Sequence, residues 1–511
     1  MKIGLLSLGC PKNLVDSEVM LGLACKAGHS VTADPRQAEV LIVNTCAFID
    51  GAKQESIDAV LEMAQHKKNG ACRRLIVTGC LAERYRDELR ARIPEIDVTL
   101  GTGEVPQIVE AISDIRRGDL IRSTPLRFIP LTPISPEARS STRSASSGST
   151  VNPIEPSTSS ERLKSGARSL PTYLYDADTP RVRATPRHFA YIKVAEGCDY
   201  KCSFCIIPTL RGHYRSRPPE SIVAEARTLV AAGVREIILI SQDTTFYGID
   251  RHERGALASL LRELNRIEGL EWIRLLYLYP TTVTDETLLA MAECDKVCKY
   301  VDLPLQHASE RILEAMKRPG TRQTYERLLA RIRAAVPEVA LRTTFIVGFP
   351  GETEADFTEL YDFARNAAFD HVGVFTYSHE EGTTAFGLLD DVPAPQKRRR
   401  RDRLMSLQKR IVQRAHRARV GRRFRVLVDG EAQDHELVLR GRLESQAPEI
   451  DGMVYLTECD SGQLASGTFV DAEIVGAHDY DLVARPTALP VRRGSPFEEF
   501  RATVSPVEPA S

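Results

Sequence analysis

Cys198-Asp-Tyr-Lys-Cys202-Ser-Phe-Cys205 sets three thiols within eight residues. The apolar run from Phe189 to Val194 just before it reads as a buried strand, which places the thiols on a loop at a strand's carboxyl end. Thiolates are the usual ligands of iron–sulfur clusters. Three of them on one loop hold three irons of a four-iron cube and leave the fourth iron without a protein ligand. An open iron can bind a small molecule and pass it an electron, so the loop reads as a reaction centre. Zinc fits less well, because a structural zinc closes with four ligands. The nearest histidines, His188 and His213, do not stand at a short ligand spacing. A disulfide framework requires an oxidising compartment, which nothing in the sequence suggests.

Downstream of the loop, strand-like and helix-like runs alternate. Helices are predicted over 219–232, 257–267, 285–293, 309–316, 322–334 and 354–367, and strands over 236–241, 272–278, 300–305, 339–347 and 371–377. About six β/α units predict a partial parallel (β/α) barrel, whose chemistry belongs at the carboxyl mouth of its strands. Polar residues end several of these strands: Ser241-Gln242-Asp243, Pro304-Leu-Gln306-His307, and the glycine-rich Phe345-Ile-Val-Gly348-Phe-Pro350-Gly351-Glu352.

Upstream, one pattern recurs three times. Ile3-Gly-Leu-Leu-Ser-Leu-Gly leads to Cys10, Val40-Leu-Ile-Val-Asn-Thr to Cys46, and Leu75-Ile-Val-Thr-Gly to Cys80. Helices over 14–27, 52–65 and 82–92 separate the runs, which predicts an open parallel α/β sheet. Ligands of such sheets bind beyond the carboxyl strand ends. Three thiols at equivalent ends therefore predict a second three-cysteine site. Cys25 reads as helix core and Cys72 as a loop residue. Cys294 and Cys298 read as non-ligating.

The Cys-x3-Cys-x2-Cys spacing, with Phe204 before Cys205, resembles the radical S-adenosylmethionine (radical SAM) enzymes. The pair of three-cysteine sites resembles one branch of them, the methylthiotransferases. The resemblance implies a [4Fe-4S] cluster on Cys198, Cys202 and Cys205 whose open iron chelates S-adenosyl-L-methionine and yields a 5′-deoxyadenosyl radical. It implies a second [4Fe-4S] cluster on Cys10, Cys46 and Cys80 that carries sulfur for insertion at a carbon. Phe204 would pack beside the adenine, and Gln242 and Gly348 would contact the cofactor. The cofactors carry the chemistry, so no side chain is nominated as general acid or base.

Residues 397–423 hold thirteen Lys/Arg and one acid, with Leu404, Leu407, Ile411 and Ala415 at helical spacing. This predicts a basic amphipathic helix, with RNA contact as one use of its outer face. Short strands over 424–428, 437–439, 453–456 and 469–474 then predict a small β-barrel, similar in place and layout to the TRAM domain of the family. Residues 429–481 carry thirteen Asp/Glu against Arg440 and Arg442, a balance of −11. That surface should repel a phosphate backbone and attract a basic protein. Two substrate types are known in the family: an adenosine of transfer RNA (the MiaB type) and the β-carbon of an aspartate in the twelfth small-subunit ribosomal protein (the RimO type). Ser7-Leu-Gly-Cys10-Pro-Lys-Asn-Leu-Val-Asp-Ser-Glu18, Met316-Lys-Arg-Pro-Gly-Thr321 and Tyr377-Ser-His-Glu-Glu-Gly-Thr383 are similar to the RimO form. The acidic barrel agrees with a basic ribosomal protein as substrate. A non-catalytic ribosome-binding iron–sulfur protein is the reading from outside enzymology.

With 511 residues, about three domains are expected: an N-terminal methylthiotransferase domain over 1–118, a Ser/Pro-rich linker over 119–185 that cannot bury enough apolar surface to fold apart from a short ordered piece at Thr172–Asp176, a radical SAM core over 186–416, a TRAM-like barrel over 417–485, and a flexible tail over 486–511. Charge is balanced, at 68 Lys+Arg against 69 Asp+Glu, so it excludes no partner class by itself. No signal-peptide layout and no run long enough to span a membrane is present, so a reducing cytoplasm is expected, with a reductant and a sulfur donor as further partners.

Overall fold

Val40–Thr45 (β3) and Arg74–Gly79 (β4) are buried at every residue, as parallel strands covered on both faces must be. They form the middle of a five-stranded sheet of order β2-β1-β3-β4-β5, with β1 at Lys2–Ser7, β2 at Ser30–Val31 and β5 at Val98–Leu100. Helices α1 (Pro11–Lys26), α2 (Asp50–Asn69), α3 (Cys80–Arg92) and α4 (Ile108–Ser113) complete this open α/β domain. The computed structural model of the chain describes residues 1–113, 170–432, 438–459 and 462–488. It comprises two compact units, Met1–Gln408 and Lys409–Ser511.

The expected linker divides in two. Residues 114–169 lie outside the described residues. Residues 170–185 pack as extended chain instead of remaining free: Tyr175 is buried with its hydroxyl on Glu225, and Arg181 pairs with Glu18 and Glu225. Tyr175 falls in Thr172–Asp176, the stretch expected to form a short ordered piece, whereas Arg181 lies outside any apolar pattern, so composition alone hides it. The expected tail lies mostly outside the described residues, from 489 onward.

The rest of the first unit repeats strand and helix. Its parallel strands are β6 (Phe189–Lys193), β9 (Glu236–Ile240), β10 (Trp272–Leu275), β11 (Tyr300–Asp302), β12 (Ala340–Val347) and β13 (His371–Thr376). A short antiparallel pair, β7 (Ala195–Glu196) and β8 (Arg215–Ser216), flanks the cysteine loop. The parallel strands pair as β10-β9-β6 and β11-β12-β13. The amide of Leu278 on the carbonyl of Asp302, at 2.9 Å, joins the two groups into one partial barrel wall. The helices are α5 (Ile207–Arg211), α6 (Pro219–Ala231), α7 (Ala256–Asn265), α8 (Asp285–Glu293), α9 (Glu310–Ala315), α10 (Arg322–Ala335) and α11 (Glu354–Ala367). Thr321 and Thr353 start α10 and α11 with capping boxes, each satisfying two otherwise orphaned amides. Arg274 and Glu236 form a fully buried pair at 2.7 Å between neighbouring strands.

Helix α12 (Ala394–Arg419) is basic, but not with the predicted stripe. Leu404, Leu407 and Val412 are buried, whereas Ala415 is exposed and His416 takes its place. Lys397 and Arg400 are also buried, so two of the basic residues do not serve an outer face. The second unit is a closed barrel of order β14-β15-β16-β18-β17. Its strands are β14 (Arg423–Glu431), β15 (Leu439–Leu443), β16 (Val454–Leu456), β17 (Phe469–His478) and β18 (Asp481–Pro486). The last strand is one more than predicted, because Asp481, Arg485 and Pro486 leave its sequence without an apolar run. Val426, Val428, Leu456, Ile474 and Leu482 fill the barrel. One cysteine reading reverses: Cys25 is exposed on α1. Cys72 lies in the loop between α2 and β4, as expected, and is buried there with its thiol donating to the carbonyl of Arg74.

Candidate functional site

Cys10 precedes α1, Cys46 follows β3 and Cys80 begins α3, so three carboxyl strand ends deliver three thiols to one place. The glycines beside them show how tight that place is. Gly9 has a φ of +89°, and a Cβ there would lie 3.0 Å from Cys46 Sγ. Gly79, with a φ of +91°, would strike Asn44 and Thr45 with any side chain. Only glycine meets both demands cheaply. Asn13, fully buried, then ties the ends together. Its Nδ2 donates to the carbonyls of Leu8 at 3.0 Å and Thr45 at 2.9 Å, and its Oδ1 lies 3.8 Å from Cys80 Sγ.

The second group of thiols lies on the loop after β7. Tyr200 donates to Asp243 at 2.9 Å and stacks on Tyr279 at 3.8 Å between ring centres. Arg318 lies over the other side of Tyr279, at 4.1 Å, and donates toward Cys202 Sγ at 3.8 Å and to the carbonyl of Pro304. Ser203 is fixed by its amide on Met316 at 2.8 Å. Phe204 packs with Ile312, Met316, Phe349 and Tyr377, beside the glycine-rich segment that follows β12. Gln242 lies on another wall, donating to Glu196 at 2.5 Å while its buried Oε1 has no hydrogen-bond partner. Gln306, held at a φ of +73°, also carries a buried Oε1 without a hydrogen-bond partner.

Gly348 has a φ of +74°, and the space a Cβ would fill is taken by the Lys397 stem, 2.2 Å away. Its amide and that of Phe349 donate to Glu352. The segment is thus built from inside, with Arg400 on the Glu352 carbonyl at 3.0 Å. Burial pushes the Glu352 carboxyl up to about 7, against the opposing pull of Arg400. His307, 3.9 Å from Glu352, is fully buried, and its Nδ1 accepts the Ser309 amide at 3.0 Å. Burial brings its pKa from 6.5 down to about 3, so it stays neutral where an unfolded chain takes up a proton. Its stability contribution is therefore complete above pH 6.5 and is lost as the pH falls toward about 3. Replacing His307 with Gln should flatten the acid limb of unfolding by at most about 1.4 kcal/mol per pH unit. The lone tryptophan, Trp272 on β10, reports the transition. Glu352 acts with opposite sign below about pH 7, so the variant must be read against the parent under matched conditions.

Both thiol groups suit iron–sulfur clusters in donor chemistry. All six cysteines are free. Burial raises Cys46 and Cys205 to about 12, and Cys80 and Cys198 to about 11. Such thiols remain neutral until a metal supplies the positive charge that deprotonates them. Among the described residues no three His, Cys, Asp or Glu side chains close around a single metal ion.

The two groups of thiols lie in one compact unit, and charged side chains run between them. Arg211, at the end of α5, donates to Asn13 and toward Cys80 Sγ at 3.8 Å. It also reaches Asp16 at 2.8 Å and Glu196 at 3.0 Å. Lys193 joins the same two carboxylates. Burial opposes ionisation of Glu196, but Arg211 and Lys193 hold its carboxyl far below the usual range. Lys12 lies 2.8 Å from the centre of the Tyr277 ring, and burial lowers it to about 7. Sequence reading missed Arg211, Arg318 and this network. No local signal marks them: Lys12, Asn13, Asp16, Ser17 and Glu18 are all buried on α1, where the same run of polar residues reads equally well as a solvated face.

Comparison with known proteins matches residues 192–364 to the radical SAM superfamily, residues 2–101 to the uncharacterized protein family UPF0004, and residues 420–486 to the TRAM domain. The chain is 48% identical over 486 residues to a protein of Koribacter versatilis named ribosomal protein uS12 methylthiotransferase RimO, covering 95% of this chain and 96% of that one. A protein of the same name from Pelotomaculum thermopropionicum is 46% identical over 482 residues, covering 94% and 98%. Among solved structures, the radical S-adenosylmethionine methyltransferase TsrM of Kitasatospora setae aligns with a TM-score of 0.48 at 18% identity, covering 73% of this chain and 72% of that one.

Proposed function

Because the chain belongs to the RimO family of ribosomal protein uS12 methylthiotransferases, we propose that it adds a methylthio group to the β-carbon of an aspartate in uS12 and that it uses two four-iron clusters to do so. The observation that carries the two-cluster reading is the meeting of Cys10, Cys46 and Cys80 at three strand ends, within the same compact unit as Cys198, Cys202 and Cys205. When bound, the clusters and S-adenosyl-L-methionine supply the radical and the sulfur, which no side chain can provide for an unactivated C–H bond.

The chain's own residues hold and orient. Cys198, Cys202 and Cys205 are the ligands of the radical cluster, and Cys10, Cys46 and Cys80 those of the other. Arg318 steadies Cys202, and Tyr200 and Tyr279 wall the loop. The unpartnered Oε1 atoms of Gln242 and Gln306 are acceptors suited to S-adenosyl-L-methionine, which carries an ammonium and two ribose hydroxyls. Phe204 offers an apolar face to the adenine. Gly348 acts through the segment it shapes, since Lys397 fills the space beside it. The acidic barrel takes up the basic ribosomal protein by charge complementarity. The exposed arginines of α12, among them Arg398 and Arg399, provide a contact for ribosomal RNA. The reaction belongs in a reducing cytoplasm, and no described helix is long and apolar enough to cross a membrane.

The deciding experiment is anaerobic reconstitution with iron and sulfide, followed by addition of S-adenosyl-L-methionine, a reductant and either uS12 or transfer RNA. A methylthio mass gain on uS12, with 5′-deoxyadenosine released, is expected. A gain on RNA alone would overturn the substrate, and absence of deoxyadenosine would overturn the enzyme.

A further inference from the structure

Arg211 lies six residues beyond Cys205 in the sequence, yet one of its nitrogens points at the other thiol group. Its side chain is 3% exposed. Nη2 serves Asn13 and Cys80, while Nη1 serves Asp16 and Glu196. Glu196 continues to Gln242, on the radical side. The four charges cancel, Arg211 and Lys193 against Asp16 and Glu196. Such buried networks are weak sources of stability, because desolvating the ions costs about as much as pairing them returns. They do fix orientation, and the rigid fork of arginine aims two nitrogens at separate targets where lysine aims one. An N–H directed at a ligand sulfur also raises a cluster's reduction potential, since it stabilises the more negative reduced state.

Building on the two-cluster reading, we propose that Arg211 is a positioning residue for the reaction: it holds Cys80, and through it the site of Cys10, Cys46 and Cys80, in register with the radical site, so that radical formation and methylthio delivery remain coupled. A carbon radical formed out of register with its sulfur source is quenched without product. Arg211→Lys keeps the charge and one contact but loses the fork.

The test uses the full chain, reconstituted anaerobically and supplied with uS12. In Arg211→Lys, methylthiolated product per deoxyadenosine released should fall about tenfold or more, the scale of a small misplacement of reacting groups, while deoxyadenosine release persists. In a chain whose Cys198, Cys202 and Cys205 are alanine, so that only the N-terminal cluster signals, Arg211→Lys should shift the midpoint potential in an EPR-monitored titration to more negative values. Asp16→Asn, which removes the negative charge facing Nη1 and Lys193 without changing volume, should lower the product-to-deoxyadenosine ratio in the same direction and serves if Arg211→Lys does not fold. An unchanged ratio, or equal loss of product and deoxyadenosine with an unmoved potential, would overturn the proposal. A parent chain that forms neither deoxyadenosine nor product would instead overturn the functional reading beneath it.

Discussion

Replacing any one of Cys198, Cys202 and Cys205 with alanine should reduce deoxyadenosine release from S-adenosyl-L-methionine to background, and methylthiolation with it. Three thiolates are the fewest that hold a four-iron cube while leaving one iron open, so no partial activity is expected. The loss should not come from unfolding. The loop's shape rests on bonds that these sulfurs do not make: the Cys198 amide on Gly212 at 3.1 Å, the Ser203 hydroxyl on Ala315 at 2.7 Å, and the Tyr200–Asp243 bond. The measurement is chromatographic quantitation of deoxyadenosine, with Trp272 fluorescence confirming that each variant unfolds like the parent. A variant that still releases deoxyadenosine would remove its cysteine from the ligand set.

The second large effect should separate the two sites. Cys46→Ala should bring methylthiolation to background while deoxyadenosine release persists at the same order of magnitude. Cys46 is the cleanest choice of the three. Its thiol lies against Gly9, and its backbone is held by Ser56, whose hydroxyl accepts the Cys46 amide at 3.0 Å and donates to its carbonyl at 2.9 Å. Cys80, in contrast, is the sulfur that Arg211 addresses, so its removal would also disturb the charged network. Mass spectrometry of uS12 beside deoxyadenosine quantitation reads both outcomes at once. Continued methylthiolation in Cys46→Ala would mean that this cysteine holds no sulfur-carrying cluster.

The sequence made the strand ends legible for a physical reason. A parallel strand covered on both faces is a short continuous apolar run, and β3 and β4 are buried throughout, so the residues just after them stand out as cysteines at equivalent places. The repeated alternation of strand and helix likewise gave the barrel. What stayed hidden depends on distance along the chain. Arg211 and Asn13 are 198 residues apart, and Lys193 and Asp16 are 177 apart. Nothing local distinguishes a buried charge with a distant partner from a solvated one. Lys397 and Arg400 were hidden for the same reason, inside a helix whose many arginines read as a single exposed face. Gly348 marks a different limit. Its glycine was legible as a need for space, but the sequence does not say whether a cofactor or the Lys397 stem takes that space.

The buried charges between the thiol groups also bear on how freely these proteins can be recombined. The N-terminal domain supplies Asn13, Asp16 and Glu18, whereas Arg181, Lys193, Glu196 and Arg211 come from the chain that follows. A chimaera joining the first 113 residues of this chain to the remainder of a relative inherits only one side of that arrangement. If the incoming half lacks the cations, Asp16 and Glu18 are left as uncompensated buried acids, a cost of several kcal/mol each before any chemistry is considered. Grafts that exchange both sides together, with the charge pattern transferred as one block, are the ones that should assemble.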